Sequence, residues 1–127
     1  KIVAQESKIM VVVADERKKV STLGAFPLPI EITPFSHSAT VRALNRILDC
    51  RVNIRMAGDG PVFTDNNNMI ADAHMGPNIS DPESLEIEIL KIAGVVQVGL
   101  FTNMCDAIVL AGNDGVKTIL NPNGKLA

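Results

Sequence analysis

The chain has 127 residues, of which 46% are hydrophobic and 20% charged, and its formal net charge is -2. That length suits one compact domain, or two small units sharing a core, and that balance excludes a disordered chain. Without a basic face, electrostatic capture of nucleic acid is excluded too.

The longest apolar runs are strand-length, so no helix that crosses a membrane is expected, and no signal-peptide pattern opens the chain. The first residue is Lys1 rather than Met, which reads as a cut fragment. Lys1–Ser7 reads as the tail of a helix begun upstream. Ile9–Ala14 is a continuous apolar run, the pattern of a strand buried on both faces. It stops at Asp15-Glu16-Arg17-Lys18, four charged residues at the strand's carboxyl end, where open α/β sheets bind ligands. Lys18–Leu23 is a polar link with room for a helical turn. Phe26-Pro27-Leu28-Pro29 reads as a stiff extended crossing, neither helix nor central strand, because two prolines remove two amide donors.

Ile30–Thr33 opens a second unit, which Pro34 ends. Ser36 or Ser38 then caps a helix whose apolar face is Val41, Leu44, Ile47 and Leu48. Arg51–Met56 alternates as a half-buried strand, with Val52, Ile54 and Met56 pointing inward. After a turn at Gly58-Asp59-Gly60-Pro61, Val62–Thr64 and Met69–Ala73 pair across Asp65-Asn66-Asn67-Asn68. Asp81-Pro82-Glu83 starts a helix that carries Leu85, Ile89, Ile92 and Ala93 inward, fits Ile87 poorly and stops at Gly94. Val95–Phe101 is a strand. Ala107–Ala111 and Val116–Leu120 are two more, split by Gly112-Asn113-Asp114-Gly115. Asn121–Ala127 reads as a frayed tail.

From Ile30 to Phe101 the order is β-α-β-β-α-β, a ferredoxin-like unit with both helices on one face of an antiparallel sheet. The outer strands, Ile9–Ala14 and the last two, belong to a different sheet. The expected fold class is therefore α/β: the carboxyl-terminal strands of a Rossmann-like sheet, from residues 1–24 and 107–127, around an inserted ferredoxin-like α+β domain, residues 25–106. Three near-continuous apolar strands need cover on both faces, and only one partial helix accompanies them. A missing amino-terminal half is the expected cover.

Val11-Val12-Val13-Ala14-Asp15-Glu16-Arg17-Lys18 followed by Leu23-Gly24-Ala25-Phe26-Pro27-Leu28-Pro29-Ile30-Glu31 resembles the type A ribose-5-phosphate isomerases. Thr64-Asp65-Asn66, Gly94-Val95-Val96 with Gly99-Leu100-Phe101, and Gly115-Val116-Lys117 extend the likeness in the same order. It covers essentially the whole chain, but only the carboxyl-terminal part, somewhat over half, of a typical member. The resemblance implies a cytoplasmic isomerase of the pentose phosphate pathway, free of metal and cofactor, working as a homodimer or homotetramer. It interconverts ribose 5-phosphate and ribulose 5-phosphate through an enediolate, which needs a carboxylate base, oxyanion-stabilising groups and phosphate donors. The family's catalytic Glu matches a position immediately before Lys1, and its phosphate loop lies further upstream. No catalytic residue is therefore expected here, and the chain alone should not turn over substrate.

One substrate-binding residue carries over from the resemblance, Lys18, matching the Lys the family uses to bind the sugar phosphate. Asp15 also fits the pattern and is expected to cap the following turn. Arg17 stands where the family often has Ser or Thr, and Asn67 where it often has Gly. The remaining candidates carry bland expectations. His37 and His74 are surface or half-buried imidazoles. Cys50 and Cys105 form no C-x-x-C pair and are half-buried thiols of a reducing cytosol. Asp65–Asn68 lacks the closing Glu of a calcium loop. Asn78-Ile79-Ser80 is a chance sequon, and Met56, Met69 and Met75 are core. The alternative reading is a non-catalytic ferredoxin-like module for ligand binding or subunit interaction, because that element order hosts many functions. An RNA-binding version lacks stacking aromatics and a basic surface.

Overall fold

Alternation decides the core of one of the two units. Strand β2, Leu28–Ile32, follows strand β1, Val11–Asp15, and turns Leu28, Ile30 and Ile32 to one side, where all three are buried. In the computed structural model, which describes residues 1–127, they anchor one of two units, Thr22–Leu100. The other unit comprises Lys1–Ser21 and Phe101–Ala127.

The Thr22–Leu100 unit continues with helix α2 (His37–Leu48), strand β3 (Val52–Ile54), a small hairpin of β4 (Met56–Ala57) and β5 (Gly60–Pro61), and strand β6 (Met69–Ala73). Helix α3 (Pro82–Leu90) and strand β7 (Val95–Val98) complete it. The main sheet runs β3-β6-β2-β7, with every neighbouring pair antiparallel. One face of it joins Leu44 of α2 and Ile89 of α3 in a single apolar cluster with Ile30, Ile32, Val52, Ala71 and Val98. Burying each large aliphatic side chain there contributes roughly 1.5–3 kcal/mol. Helix α3 starts as its sequence dictates: Asp81 accepts a hydrogen bond from the Ser84 amide at 3.1 Å, and Pro82 needs no amide partner at the first turn. Ile87, the misfit of its stripe, is exposed.

Several local expectations are corrected. Leu28-Pro29 is not a crossing but the start of β2, a central strand. The missing proline donor falls on the β7 side, at the last rung, where Gly99 donates to the Pro29 carbonyl at 2.8 Å. A Cβ on Gly99 would lie 2.6 Å from Pro29 Cγ, so the rung requires glycine opposite the ring. Ser36 occupies the cap position of α2 without a side-chain cap bond, in a left-handed conformation with φ 54°. Ile47 and Met56 are exposed rather than core, because α2 turns Thr40 and Leu44 inward and the strand breaks after Ile54.

In the Lys1–Ser21 and Phe101–Ala127 unit, a short helix α1 (Ile2–Glu6) precedes β1, which pairs in parallel with β8 (Ala107–Gly112), and β8 pairs antiparallel with β9 (Gly115–Leu120). The order is β1-β8-β9. The apolar run of β1 is not enclosed: Val11 and Val13 are exposed, Val13 to 75%, and Val116 on β9 is 72% exposed. The last residues are not frayed. Asp106, buried just before β8, accepts from the Lys125 amide at 2.7 Å, and the Asn121 side chain donates to the Cys105 carbonyl at 2.9 Å.

Candidate functional site

The parallel pairing of β1 with β8 brings their carboxyl ends together, Asp15 opposite Ala111. The backbone then leaves the sheet in a single 3-10 turn, Glu16–Lys18. Asp15 drives that turn. Its Oδ1 accepts from the Arg17 amide at 2.9 Å and from Arg17 Nε at 2.8 Å, and its Oδ2 accepts from Arg17 Nη2 at 3.0 Å. The Arg17 guanidinium holds the Asp15 carboxyl below its ordinary range, helped by the Arg17 amide and the Lys18 charge, and Asp15 raises Arg17 in return. Both side chains are largely exposed, so the pair stabilises little beyond the turn itself. The Lys19 amide closes the turn on the Glu16 carbonyl at 3.1 Å.

Lys18 ends the turn, exposed at the carboxyl edge of the sheet. Asp15 caps, as its position dictates, and Arg17, whose amide it caps, also clamps it through its guanidinium. Glu16 points back to the sheet: its carboxylate lies where a side chain on Gly112, the last residue of β8, would stand.

The other candidates are dispersed. In the Thr22–Leu100 unit, His37 Nδ1 lies 3.2 Å from the Pro34 carbonyl oxygen. His74 Nε2 lies 2.6 Å from Asn53 Oδ1. The turn at Asp65–Asn68 has Asn67 at φ 59°, a conformation Asn tolerates. Its flanks serve structure: Thr64 Oγ1 donates to Glu31 Oε1 at 2.7 Å and Asn68 Nδ2 donates to the same oxygen at 3.1 Å. Two stretches that carry the isomerase resemblance, one ending in Glu31 and one starting at Thr64, are thus tied across the open face of one sheet. On that sheet, Arg55 also forks onto Asp72 at 2.7 and 2.9 Å. Burial pushes the Cys50 thiol up, and its Sγ faces Met75 Sδ at 3.6 Å; Cys105 Sγ donates to the Ala107 carbonyl at 3.0 Å.

Sequence reasoning missed Asp106. It is a buried carboxylate at the amino ends of β1 and β8, the opposite end of the sheet from Lys18. It accepts from the Met10 amide at 2.8 Å and the Lys125 amide at 2.7 Å, which together hold its carboxyl below the ordinary range. One Asp before an apolar strand gave no sign that two distant amides would converge on it.

The model of the family described as ribose 5-phosphate isomerase A (phosphoriboisomerase A) matches residues 1–115. This chain belongs to that family. It is 45% identical over 121 residues to ribose-5-phosphate isomerase A 2 of Yersinia pseudotuberculosis, covering 91% of this chain and 51% of that protein. The solved ribose 5-phosphate isomerase A of Methanocaldococcus jannaschii superposes with a TM-score of 0.86 at 40% identity, over 95% of this chain and 53% of that one. A D-ribose-5-phosphate isomerase solved in complex with phospho-erythronic acid gives 0.88 at 37% identity, over 95% and 53%. The chain spans about half the length of the curated relatives it matches. Shared family membership makes the mixed α/β sheets a family property, and no helix here is long and apolar enough to cross a membrane.

Proposed function

We propose that this chain is the carboxyl-terminal part of an enzyme that interconverts ribose 5-phosphate and ribulose 5-phosphate through an enediolate. The observation that carries the reading is the family match over residues 1–115. Within it, Lys18 is the sugar-phosphate contact. An ammonium held at the carboxyl end of a parallel strand suits a phosphate or a sugar hydroxyl. The relative solved with phospho-erythronic acid supports a phosphorylated sugar as the ligand class.

The catalytic Glu and the phosphate loop belong to a segment that the relatives have and this chain does not span. The same segment is the cover for Val11, Val13 and Val116, and it completes a Rossmann-like sheet of which β1, β8 and β9 are the end. The strand order β3-β6-β2-β7 with two helices on one face supports a ferredoxin-like reading of the inserted domain. The whole enzyme works without metal or cofactor, in the cytoplasm, in the pentose phosphate pathway, as a homodimer or homotetramer.

The test is formation of ribulose 5-phosphate by the full-length protein with no added metal. Turnover is expected, and Lys18→Ala is expected to raise KM far more than it lowers kcat, because it removes binding rather than the proton-transferring base. An inactive full-length protein overturns the assignment; an unchanged KM removes Lys18 from the site.

A further inference from the structure

We propose that Gly112 is a positioning residue for Lys18, acting through a seat for the Glu16 carboxylate; this rests on reading Lys18 as the sugar-phosphate contact. Lys18 follows two residues of its turn, Glu16 and Arg17, whose side chains both reach back to the sheet. Arg17 is held by the bidentate grip of Asp15. Glu16 reaches across to β8: both of its carboxylate oxygens and its carboxyl carbon lie in the space beside Gly112 Cα that any larger residue would fill. Gly112 needs no unusual backbone angle here, and it directly precedes the hairpin turn to β9. Its lack of a side chain is therefore explained by what lies against it, not by conformation. A one-turn helix of three residues has little rigidity of its own, since it closes on one backbone bond, Lys19 to Glu16. Fixing residues 16 and 17 from two directions, one across to β8 and one back to β1, sets where residue 18 emerges.

The atoms that a new methyl at residue 112 would meet are the far end of a flexible side chain. Gly112→Ala therefore displaces the Glu16 carboxylate while leaving the strands in place, and the melting temperature stays near that of the parent. The experiment measures KM and kcat for ribose 5-phosphate in the full-length protein bearing Gly112→Ala, Glu16→Ala, both together, Lys18→Ala, and Lys18→Ala with Gly112→Ala. Each of the first two is expected to raise KM roughly tenfold, below the ~10²-fold that a 1 Å misplacement can cost. For both, kcat is expected to stay within about twofold of the parent. The double variant is expected to match the worse single, since both changes remove one seat. In the Lys18→Ala background, Gly112→Ala is expected to add nothing.

Singles that leave KM unchanged, effects that multiply, or a Gly112→Ala effect that persists without Lys18 would each overturn the seat. Activity in the parent with a Lys18→Ala penalty, but no Gly112→Ala penalty, overturns the seat alone. A parent that does not isomerise the sugar overturns the functional reading beneath it.

Discussion

The two units spend similar apolar sequence on opposite results. In Thr22–Leu100, alternation along β2 and β6 buries every second residue under two helices, and Ile30, Ile32, Leu44 and Ile89 reach full burial. In the Lys1–Ser21 and Phe101–Ala127 unit, β1 is more uniformly apolar, yet its alternate residues Val11 and Val13 face solvent. What its own chain buries there is smaller, Ala107 and Leu110 among apolar residues, with Asp106 supplying a polar anchor. The lesson is that a continuous apolar run states a demand for cover, whereas alternation states that the cover is local. One unit buries its sheet under its own helices; the other leaves Val11, Val13 and Val116 exposed.

The contrast is broken most directly in the finished core. Ile30→Ala should cost about 2–5 kcal/mol in chemical denaturation, since a fully buried β-branched side chain leaves a cavity between sheet and helices. A loss under about 1 kcal/mol would mean that this core is looser than its burial indicates. Gly99→Ala should follow at about 1–3 kcal/mol, because the new methyl meets a proline ring and carbonyl that cannot rotate away.

Acid sharpens the comparison from the other side. The Asp106 carboxyl sits below its ordinary range in the folded state, so between that value and the unfolded ~3.9 the unfolded chain binds more protons. Its contribution is therefore fully present above pH about 4 and is lost as pH falls through the folded value. Hydrogen exchange at the Met10 and Lys125 amides should rise first on acidification, before the amides of β2 and β6. Asp106→Asn should flatten that dependence; an unchanged acid limb would separate the carboxylate from it.

The smallest effect is expected where apolar sequence is exposed. Val13→Ala should change the stability of the 127-residue chain by no more than about 0.5 kcal/mol, as a surface substitution does. In the full-length protein the same substitution should cost more, because there the segment proposed to cover β1 is present. Equal effects in the two would argue against that cover.

Much of the architecture was legible. The strands of the two larger sheets, both long helices, the Asp81-Pro82 start and the Asn113-Asp114 hairpin follow from periodicity and punctuation, which act over a few residues; the expected strand at Val62–Thr64 does not, since only Phe63 bridges to Met69. The isomerase likeness was legible because its motif residues keep their order. Pro29 misled because the rule against proline in central strands concerns the amide, and only the register shows that its amide position faces a strand's final rung. Ile47 and Met56 misled because a helical or alternating face is wider than the part a partner covers.

Sequence by itself determined the two long helices, the strands of the two larger sheets and the family to which the chain belongs, since each is written in local pattern or motif order. Tertiary structure alone decided that Asp106 ties the tail to β1, that Glu31 secures Thr64 and Asn68, and that Glu16 rests on Gly112. Those contacts join residues tens of positions apart, and a hydrogen bond or a close approach at such separation leaves no local periodicity to read.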